Sequence, residues 1–301
     1  MAAVDTGPVT VFEEAAAPLR GELTAHAYRM LGSWDEAEDA VQDTYLRAYR
    51  SWDRFEGRAS VRTWLYRIAT NVCLDAARDR GRRALPSGIV GSPGDPDVLP
   101  PERWVQPFPG GRDDLRLALV AGMQTLPPTQ RAVLLLRDVL RLPAGEVADL
   151  LGTSVPAVKS SLQRARARLA RTAPTPHDVV EPTSPQARRL LDLYVRAFET
   201  ADVELLTAVL RADATLELVP SRAWFAGKAA CSVVLADAVG APGDWTMRPT
   251  LANGAPAVTV DLHGQPLGVA VLDVRRDGIA GITVFGDPAL VSRFPALGSE
   301  A

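Results

Sequence analysis

A stripe of residues that could bind nucleic acid lies along one predicted helix of this 301-residue chain. Trp64, Arg67, Asn71 and Arg78 follow one another at steps of three, four and seven residues, which places them on one helical face. An indole can stack on an unpaired base, a guanidinium can hold a phosphate, and an amide can read a base edge. The stripe therefore indicates a surface for melted DNA, although the solvated face of an ordinary helical hairpin has the same spacing.

Two amphipathic helical patterns between residues 35 and 83 position this stripe. The first has apolar residues at helical steps, and acids crowd its opening turns, where a helix dipole favours negative charge. The second has Leu65 and Val72 on its predicted buried face. A further helix is predicted over residues 9–32. The second pattern runs directly into a basic tail, Arg78, Arg80, Arg82 and Arg83.

Another pair of helices is predicted between residues 113 and 171. A short helix at Glu146–Leu151 is followed by Gly152, which permits a tight turn, and Thr153 or Ser154 caps the next helix. This order is typical of a helix-turn-helix. Val155 and Val158 are predicted to face inward from the second helix of the motif. Six residues of this helix are predicted to face outward and to contact the bases and phosphates of DNA. They are Pro156, Lys159, Ser160, Gln163, Arg164 and Arg166.

Composition is that of a globular protein with two or three domains. The net charge is −3, but the first 172 residues carry 23 basic and 21 acidic side chains, against 10 and 15 in the remainder. No apolar run reaches the roughly 18 residues of a membrane span, and the acidic N-terminus lacks the basic start of a signal peptide. We therefore expect a cytoplasmic protein. Cys73 and Cys231 are too few and too far apart for a disulfide framework or zinc knuckle, and we expect neither a metal nor a cofactor.

Two Pro-rich segments divide the chain. Residues 84–111 and 173–186 lack a sustained period and are predicted to be linkers. A passive tether is the simplest interpretation of the first. After the second, a helical pattern precedes short β-branched runs bounded by Gly, Pro or Asp. Helices followed by strands predict an α+β domain with a curved antiparallel sheet.

The sequences EDAVQDTYLRAY and TWLYRIATNVCLDAARDR resemble the second conserved region of bacterial sigma factors of the extracytoplasmic-function group. The resemblance implies that the acidic helix docks on the β′ coiled coil of core RNA polymerase through Asp39, Gln42 and Asp43. It also implies that the following loop and helix open and capture the −10 promoter element. The residues that carry this second role are Arg58, Trp64, Arg67, Asn71, Arg78 and Arg80.

The sequence GEVADLLGTSVPAVKSSLQRARARL is similar to the fourth conserved region of the same family, which reads the −35 element. Ser161 stands where many relatives have arginine, which leaves the base preference open. The resemblance implies two partners, core RNA polymerase (its β′ coiled coil and β flap) and promoter DNA, and no membrane. It also implies a first linker that runs toward the active-site and RNA-exit channels of the polymerase, with Trp104 and Phe108 as packing anchors along that path.

The sequences RADATLELVP, WFAGKAA, RPTLANGAPAVTV and GITVFGDPALVSRFP resemble the SnoaL-like branch of the nuclear-transport-factor-two (NTF2) superfamily, a cone-shaped fold with a pocket. The resemblance implies a regulatory or ligand-sensing module that contacts the sigma domains. Some members of the superfamily are isomerases or cyclases. The residues that could lie near such a pocket are Asp213, Trp224, Asp261 and His263, although a histidine beside the turn residue Gly264 is usually at the surface.

The predicted architecture is a multidomain chain of two all-α domains followed by an α+β cone. Its boundaries are 9–83 for sigma region 2, 84–111 for a linker, 112–172 for sigma region 4, 173–186 for a second linker and 187–297 for the SnoaL-like domain. The predicted function is that of a sigma factor, which is not an enzyme. The alternatives are a stand-alone helix-turn-helix regulator with a small-molecule-sensing C-terminal domain, and an enzyme on a DNA-binding anchor. The acidic docking helix favours the sigma factor, because a plain regulator has no use for it.

Overall fold

The folded chain divides into two units. A computed structural model describes residues 8–57, 59–78, 81–88, 97–110, 115–170, 181 and 183–297. The first unit comprises residues 1–82 and 120–173, and the second comprises residues 83–119 and 174–301. Within the described ranges, no helix combines the length and the apolar character needed to cross a membrane.

The first unit begins with four helices. They are α1 (Pro8–Ala16), α2 (Arg20–Leu31), α3 (Trp34–Arg50) and α4 (Val61–Arg78). The single helix predicted over residues 9–32 is wrong in one respect: a 3-10 turn at Ala17–Leu19 divides it, because Pro18 has no N–H to donate. Gly32 ends α2 in the left-handed region with φ +71°, and Ser33 caps α3 by accepting a hydrogen bond from the Glu36 N–H at 3.3 Å.

Four more helices follow, and the chain enters the first unit within the first of them. They are α5 (Leu117–Gln124), α6 (Pro128–Leu134), α7 (Ala144–Leu151) and α8 (Val155–Leu169). The last two, α7 and α8, form the predicted helix-turn-helix. Gly152 turns the chain between α7 and α8 with φ +60°, and the Ser154 hydroxyl accepts a hydrogen bond from the Ala157 N–H at 3.3 Å. Val158 is buried as predicted, but Val155 is exposed, because it occupies the first turn of α8, beyond the edge of the apolar core.

The second unit combines helices with a six-stranded sheet, which confirms the predicted α+β fold. Its helices are α9 (Pro185–Glu199), α10 (Val203–Ala208) and α11 (Lys228–Ala238). Its strands are β1 (Leu210–Val219), β2 (Trp224–Ala226), β3 (Trp245–Ala252), β4 (Ala255–Leu262), β5 (Gln265–Arg275) and β6 (Gly278–Phe285), in the order β2-β1-β6-β5-β4-β3. The pairs are antiparallel except β1 with β6, which is parallel. Register shifts in β1, β4 and β5 interrupt the ladder and curve the sheet.

The segment that joins α4 to α5 packs against this sheet. Phe108 and Asn253 form two hydrogen bonds. The Phe108 N–H donates to Asn253 Oδ1, and the backbone N–H of Asn253 donates to Phe108 O, both at 2.8 Å. The Arg222 N–H donates to Asp97 O at 2.7 Å. Trp104 and Phe108 are buried in the protein itself. The passive-tether interpretation therefore does not describe residues 97–110, because Asp97 and Phe108 are hydrogen-bonded to the folded domain.

Candidate polymerase and nucleic-acid interfaces

The exposed face of α3 carries the three residues predicted to bind polymerase. Asp39, Gln42 and Asp43 are all exposed, since the apolar stripe of α3 turns toward α2 and α4. Two large apolar side chains continue this face: Leu46 is 54% exposed and Tyr49 is 47% exposed. We call these five residues the α3 face. An acidic helix surface that also exposes a leucine and a tyrosine is suited to bind another protein.

The sequence analysis did not single out Leu46 and Tyr49. Leu46 lies seven residues after Asp39, so it falls on the polar side of the predicted helix rather than in its apolar stripe. That mismatch between residue type and face was the available signal.

The predicted −10 surface on α4 is assembled as an exposed stripe beside an aromatic cluster. Trp64 is half-buried, and its ring centroid lies 4.9 Å from that of Phe55 and 5.9 Å from that of Trp52. Arg67 and Asn71 are exposed, and neither has a hydrogen-bond partner among the described residues. The packed rings hold the Trp64 indole in place, so a base can stack against it without first ordering the side chain.

The basic end of that surface is only partly described. Arg78 is exposed and forms an ion pair with Asp75 at 3.1 Å. Asp75 also lies 3.6 Å from Arg47 on α3. Arg58 and Arg80, two further predicted −10 residues, fall outside the described residues.

An open groove of about 650 Å³ runs beside Trp64 and Arg67 within the first unit. Its opposite wall is formed by α7, which contributes Glu146 and Asp149. Two carboxylates thus line the same groove as the guanidinium that is predicted to hold DNA phosphate. Sequence patterns could not reveal this arrangement, because α4 and α7 are separate elements whose packing depends on the tertiary fold.

The predicted −35 residues on α8 are all exposed. Their environments differ, however. Lys159 and Gln163 have no hydrogen-bond partner among the described residues. Arg164 donates to the Ser160 and Ser161 hydroxyls on its own helix, and Arg166 is held by Asp138. The complete set consists of Pro156, Lys159, Ser160, Gln163, Arg164 and Arg166.

A buried arginine joins α6 to α2 inside the first unit. Arg131 donates to Met123 O and Leu126 O, each at 3.0 Å, and to Met30 O at the end of α2. The Gln124 amide adds a bond to Arg29 O at 3.1 Å. Burial lowers the pKa of Arg131 to about 10, so it stays protonated at neutral pH. Three backbone carbonyls thus satisfy this charge, and one of them, Met30 O, lies near the end of α2, where the helix dipole is negative.

The second unit contains a partly open cavity of about 150 Å³ against one face of the sheet. None of the four residues considered for a cone pocket lines it. Asp213 is exposed and pairs with Arg211 at 2.8 Å, and Asp261 pairs with Arg248. Trp224 lies on the edge strand β2, and His263 is exposed in the β4–β5 turn with φ +50°. The cavity is lined instead by residues that include Glu217 and Thr283, which the sequence analysis missed.

Potential metal ligands do not converge in the described ranges. They contain no group of three or more His, Cys, Asp or Glu side chains placed to hold a metal ion.

Two family models match the chain. They are Sigma-70 region 2, over residues 17–83, and Sigma-70, region 4, over residues 116–169. The first covers α2 to α4, which carry the α3 face and the stripe of Trp64, Arg67, Asn71 and Arg78 (the Trp64 stripe). The second covers α5 to α8.

Similar proteins extend the match beyond these models. The ECF RNA polymerase sigma factor SigG of Mycobacterium tuberculosis is 42% identical over 302 residues, which span 92% of this chain and 81% of that protein. SigE of Mycolicibacterium smegmatis is 35% identical over 48% of this chain and 54% of that protein. The crystal structure of the Mycobacterium tuberculosis extracytoplasmic function sigma factor SigJ matches with a TM-score of 0.65 and 22% identity, over 96% of this chain and 99% of that chain. That likeness concerns the fold, and it includes the C-terminal sheet domain.

Proposed function

The chain belongs to the extracytoplasmic-function (ECF) RNA polymerase sigma factors, and from that premise we propose how its surfaces divide the recognition of promoters. A sigma factor binds core RNA polymerase and promoter DNA and directs the initiation of transcription. The α3 face binds core polymerase, the Trp64 stripe captures the melted −10 element, and α8 reads the −35 element.

The observation that carries the proposal is the composition of the α3 face. Asp39, Gln42 and Asp43 offer acceptors for basic groups, and Leu46 and Tyr49 offer apolar surface that is in water in the free protein. Burying a leucine side chain contributes about 1.5–3 kcal/mol. A face that combines both kinds of group has the polar and apolar parts of a protein interface.

The two DNA surfaces act in different ways. Trp64 stacks on an unpaired base and Arg67 holds the adjacent backbone, so this stripe requires melted DNA. Lys159 and Gln163 lie on the outward side of α8, where a recognition helix meets base edges and phosphates of the major groove. The acids Glu146 and Asp149 occupy the wall opposite Arg67, so entry of the −10 strand between these walls would bring phosphates against two carboxylates. Capture of that strand therefore requires α7 to move away from α4.

We infer that the protein works by binding rather than by catalysis, and that it works in the cytoplasm, where promoter DNA and polymerase are found. The positions of Asp213, Trp224, Asp261 and His263 support the first inference, because none of these residues lines the cavity of the second unit.

The test measures binding of the full-length protein to purified bacterial core polymerase. Leu46→Ser and the pair Asp39→Ala with Gln42→Ala should each weaken binding by about tenfold or more, since each removes contacts worth at least 1.4 kcal/mol. Val233→Ser is the matched control, because Val233 is 72% exposed on α11 in the second unit. Equal losses with Leu46→Ser and Val233→Ser would remove the α3 face from the interface. Absence of wild-type binding at micromolar concentration would favour a stand-alone regulator.

A further inference from the structure

The cavity of the second unit is lined by two parts of the chain, the sheet and residues that precede it in the sequence. Its floor comes from the sheet. Its other wall comes from Leu85, in the chain that follows α4, and from Arg116, Leu117 and Ala118 at the start of α5. The space of about 150 Å³ equals that of an engineered protein cavity that holds benzene. A guest of about six to ten non-hydrogen atoms therefore fits.

The floor consists of residues that face one another across neighbouring strands. Glu217 on β1 lies opposite Thr283 on β6, and Thr283 lies opposite Val271 on β5. The next row contains Gly281, where an added Cβ would lie 3.1 Å from Thr215 Oγ1. The absence of a side chain at Gly281 therefore leaves room above the sheet, directly beside the Glu217 and Thr283 pair.

Glu217 is a buried carboxyl group with spare hydrogen-bonding capacity. It is 9% exposed, and its Oε2 atom accepts from the Ser87 N–H and the Ser87 hydroxyl, each at 3.1 Å. In the described part of the chain, no donor reaches its Oε1 atom and no partner reaches the Thr283 hydroxyl. Burial raises the pKa of Glu217. The other acid and base on the floor, Asp273 and Arg275, pair with each other at 2.8 Å.

We propose that this cavity binds a small neutral alcohol or phenol: an apolar ring or short chain with one hydroxyl group. The hydroxyl donates to Glu217 Oε1 and accepts from the Thr283 hydroxyl, while the hydrocarbon part contacts Val271, Leu85 and Leu117. A neutral guest is favoured because the other charged groups of the lining already have partners: Asp273 and Arg275 pair with each other, and Arg116 has an interaction of its own. A buried carboxyl of raised pKa also disfavours further separated charge.

Binding of such a guest would also act on the segment between α4 and α5. Ser87 and the guest share one carboxyl group, and Leu85 and Leu117 contact the guest directly. Leu85 and Ser87 lie in the chain that follows α4, and Leu117 begins α5, so the occupied cavity would hold these residues on the sheet more firmly. The binding itself does not rest on the sigma-factor assignment, because all of the contacts lie in the second unit.

The test uses the full-length protein and ligand-detected NMR with phenol and cyclohexanol, against toluene and methylcyclohexane, which match them in size but lack the hydroxyl. Phenol or cyclohexanol should bind at least tenfold more tightly than its hydrocarbon counterpart. Benzylamine serves as the cationic probe and should bind more weakly than either. Equal affinity for toluene and phenol, tighter binding of benzylamine, or no binding of any probe at millimolar concentration would each overturn the proposal.

Variants test the position of the site. Thr283→Val keeps the side-chain shape and should remove most of the preference for the hydroxyl-bearing probes. Ala255→Leu fills the cavity and should abolish binding of all probes. Thr246→Val, at an exposed position on β3, should bind as the wild type does. If Thr283→Val and Ala255→Leu are both folded by circular dichroism and bind unchanged, the guest lies elsewhere and the proposal fails. The wild-type probe comparison stays decisive if a variant does not fold.

Discussion

The Arg166 guanidinium on α8 is held by the Asp138 carboxylate in a two-point contact, with Nε 2.9 Å from Oδ2 and Nη2 2.6 Å from Oδ1. One of the basic groups predicted to reach DNA phosphate is therefore already bound to an acid of the same domain. This planar geometry is the strong form of the arginine–carboxylate pair. Arg166 thus contributes to DNA binding only if it leaves Asp138 or if the pair meets the DNA together.

Release of Arg166 should strengthen DNA binding. Asp138→Asn removes the charge that holds the guanidinium, so one more phosphate can be neutralised, and the slope of log K against log salt should steepen by about 0.9. Fluorescence anisotropy with duplex DNA over a salt series measures this slope. Combining Asp138→Asn with Arg166→Ala should restore the original slope. An unchanged slope in the single variant would mean that Arg166 does not reach a phosphate.

Trp64 should matter for DNA melting more than for initial binding. Loss of one base–aromatic stack costs about 1–3 kcal/mol, so Trp64→Ala should lower the yield of open complex by about fivefold or more. Trp64→Phe retains an aromatic ring and should lose less of that yield. Permanganate reactivity of the promoter bubble reports melting, and gel shift of the closed complex reports initial binding. Trp104→Phe in the second unit is the control for substitution of a tryptophan. Normal permanganate footprints with Trp64→Ala would rule out stacking.

Arg131 should be a large contributor to the stability of the first unit. Arg131→Met leaves the carbonyls of Met30, Met123 and Leu126 without this donor, and we expect a loss of about 3 kcal/mol in the free energy of unfolding. Chemical denaturation measures it. Arg137→Met is the control, since Arg137 donates to the single acceptor Leu142 O and should cost about 1 kcal/mol. A loss below 1 kcal/mol for Arg131→Met would show that desolvation of the guanidinium cancels its hydrogen bonds.

His26 should make the first unit sensitive to acid. Burial and the nearby Arg29 lower the pKa of His26 to about 3 in the folded protein, and its Nε2 lies 3.0 Å from Thr70 Oγ1. The unfolded chain takes up this proton near pH 6.5, whereas the folded chain does not. This group therefore lowers the free energy of unfolding by about 1.4 kcal/mol for each pH unit as the pH decreases from 6.5 toward 3.

Comparison of two histidine variants isolates that effect. Between pH 7 and pH 5, His26→Gln should lose about 2 kcal/mol less stability than the wild type does. His263→Gln, at an exposed turn position, is the matched control for a histidine-to-glutamine substitution. Identical pH profiles for His26→Gln and wild type would mean that His26 is protonated in the folded state.

Both thiols should be unreactive in the native protein. Cys73 and Cys231 are buried and free, and burial raises the pKa of Cys73 to about 12 and raises that of Cys231. Little thiolate forms at pH 8, so a disulfide reagent should titrate no thiol before denaturation and two afterwards. Rapid reaction of one thiol in the native state would indicate local opening around it.

The helices and their surface residues could be predicted from sequence because the signals are local. Apolar spacing, the Ser33 and Ser154 caps and the turn at Gly152 act within a few residues, so the stripe on α4 and the outward face of α8 follow from the order of residues alone. The same local signals failed at Pro18, where one missing N–H outweighed the apolar period, and at Val155, where the end of a helix left an apolar residue exposed.

The contacts that tertiary structure alone decided join residues far apart in the chain. Ser87 meets Glu217 across 130 positions, and Arg131 reaches Met30 across 101 positions. No periodicity encodes such pairs, because they depend on how finished helices and strands pack. For that reason the composition of the Pro-rich segment indicates a tether, whereas in the folded chain its Leu85 lines a cavity and its Ser87 bonds to Glu217. Sequence alone determined the elements and the surfaces they carry, and packing decided which buried groups meet.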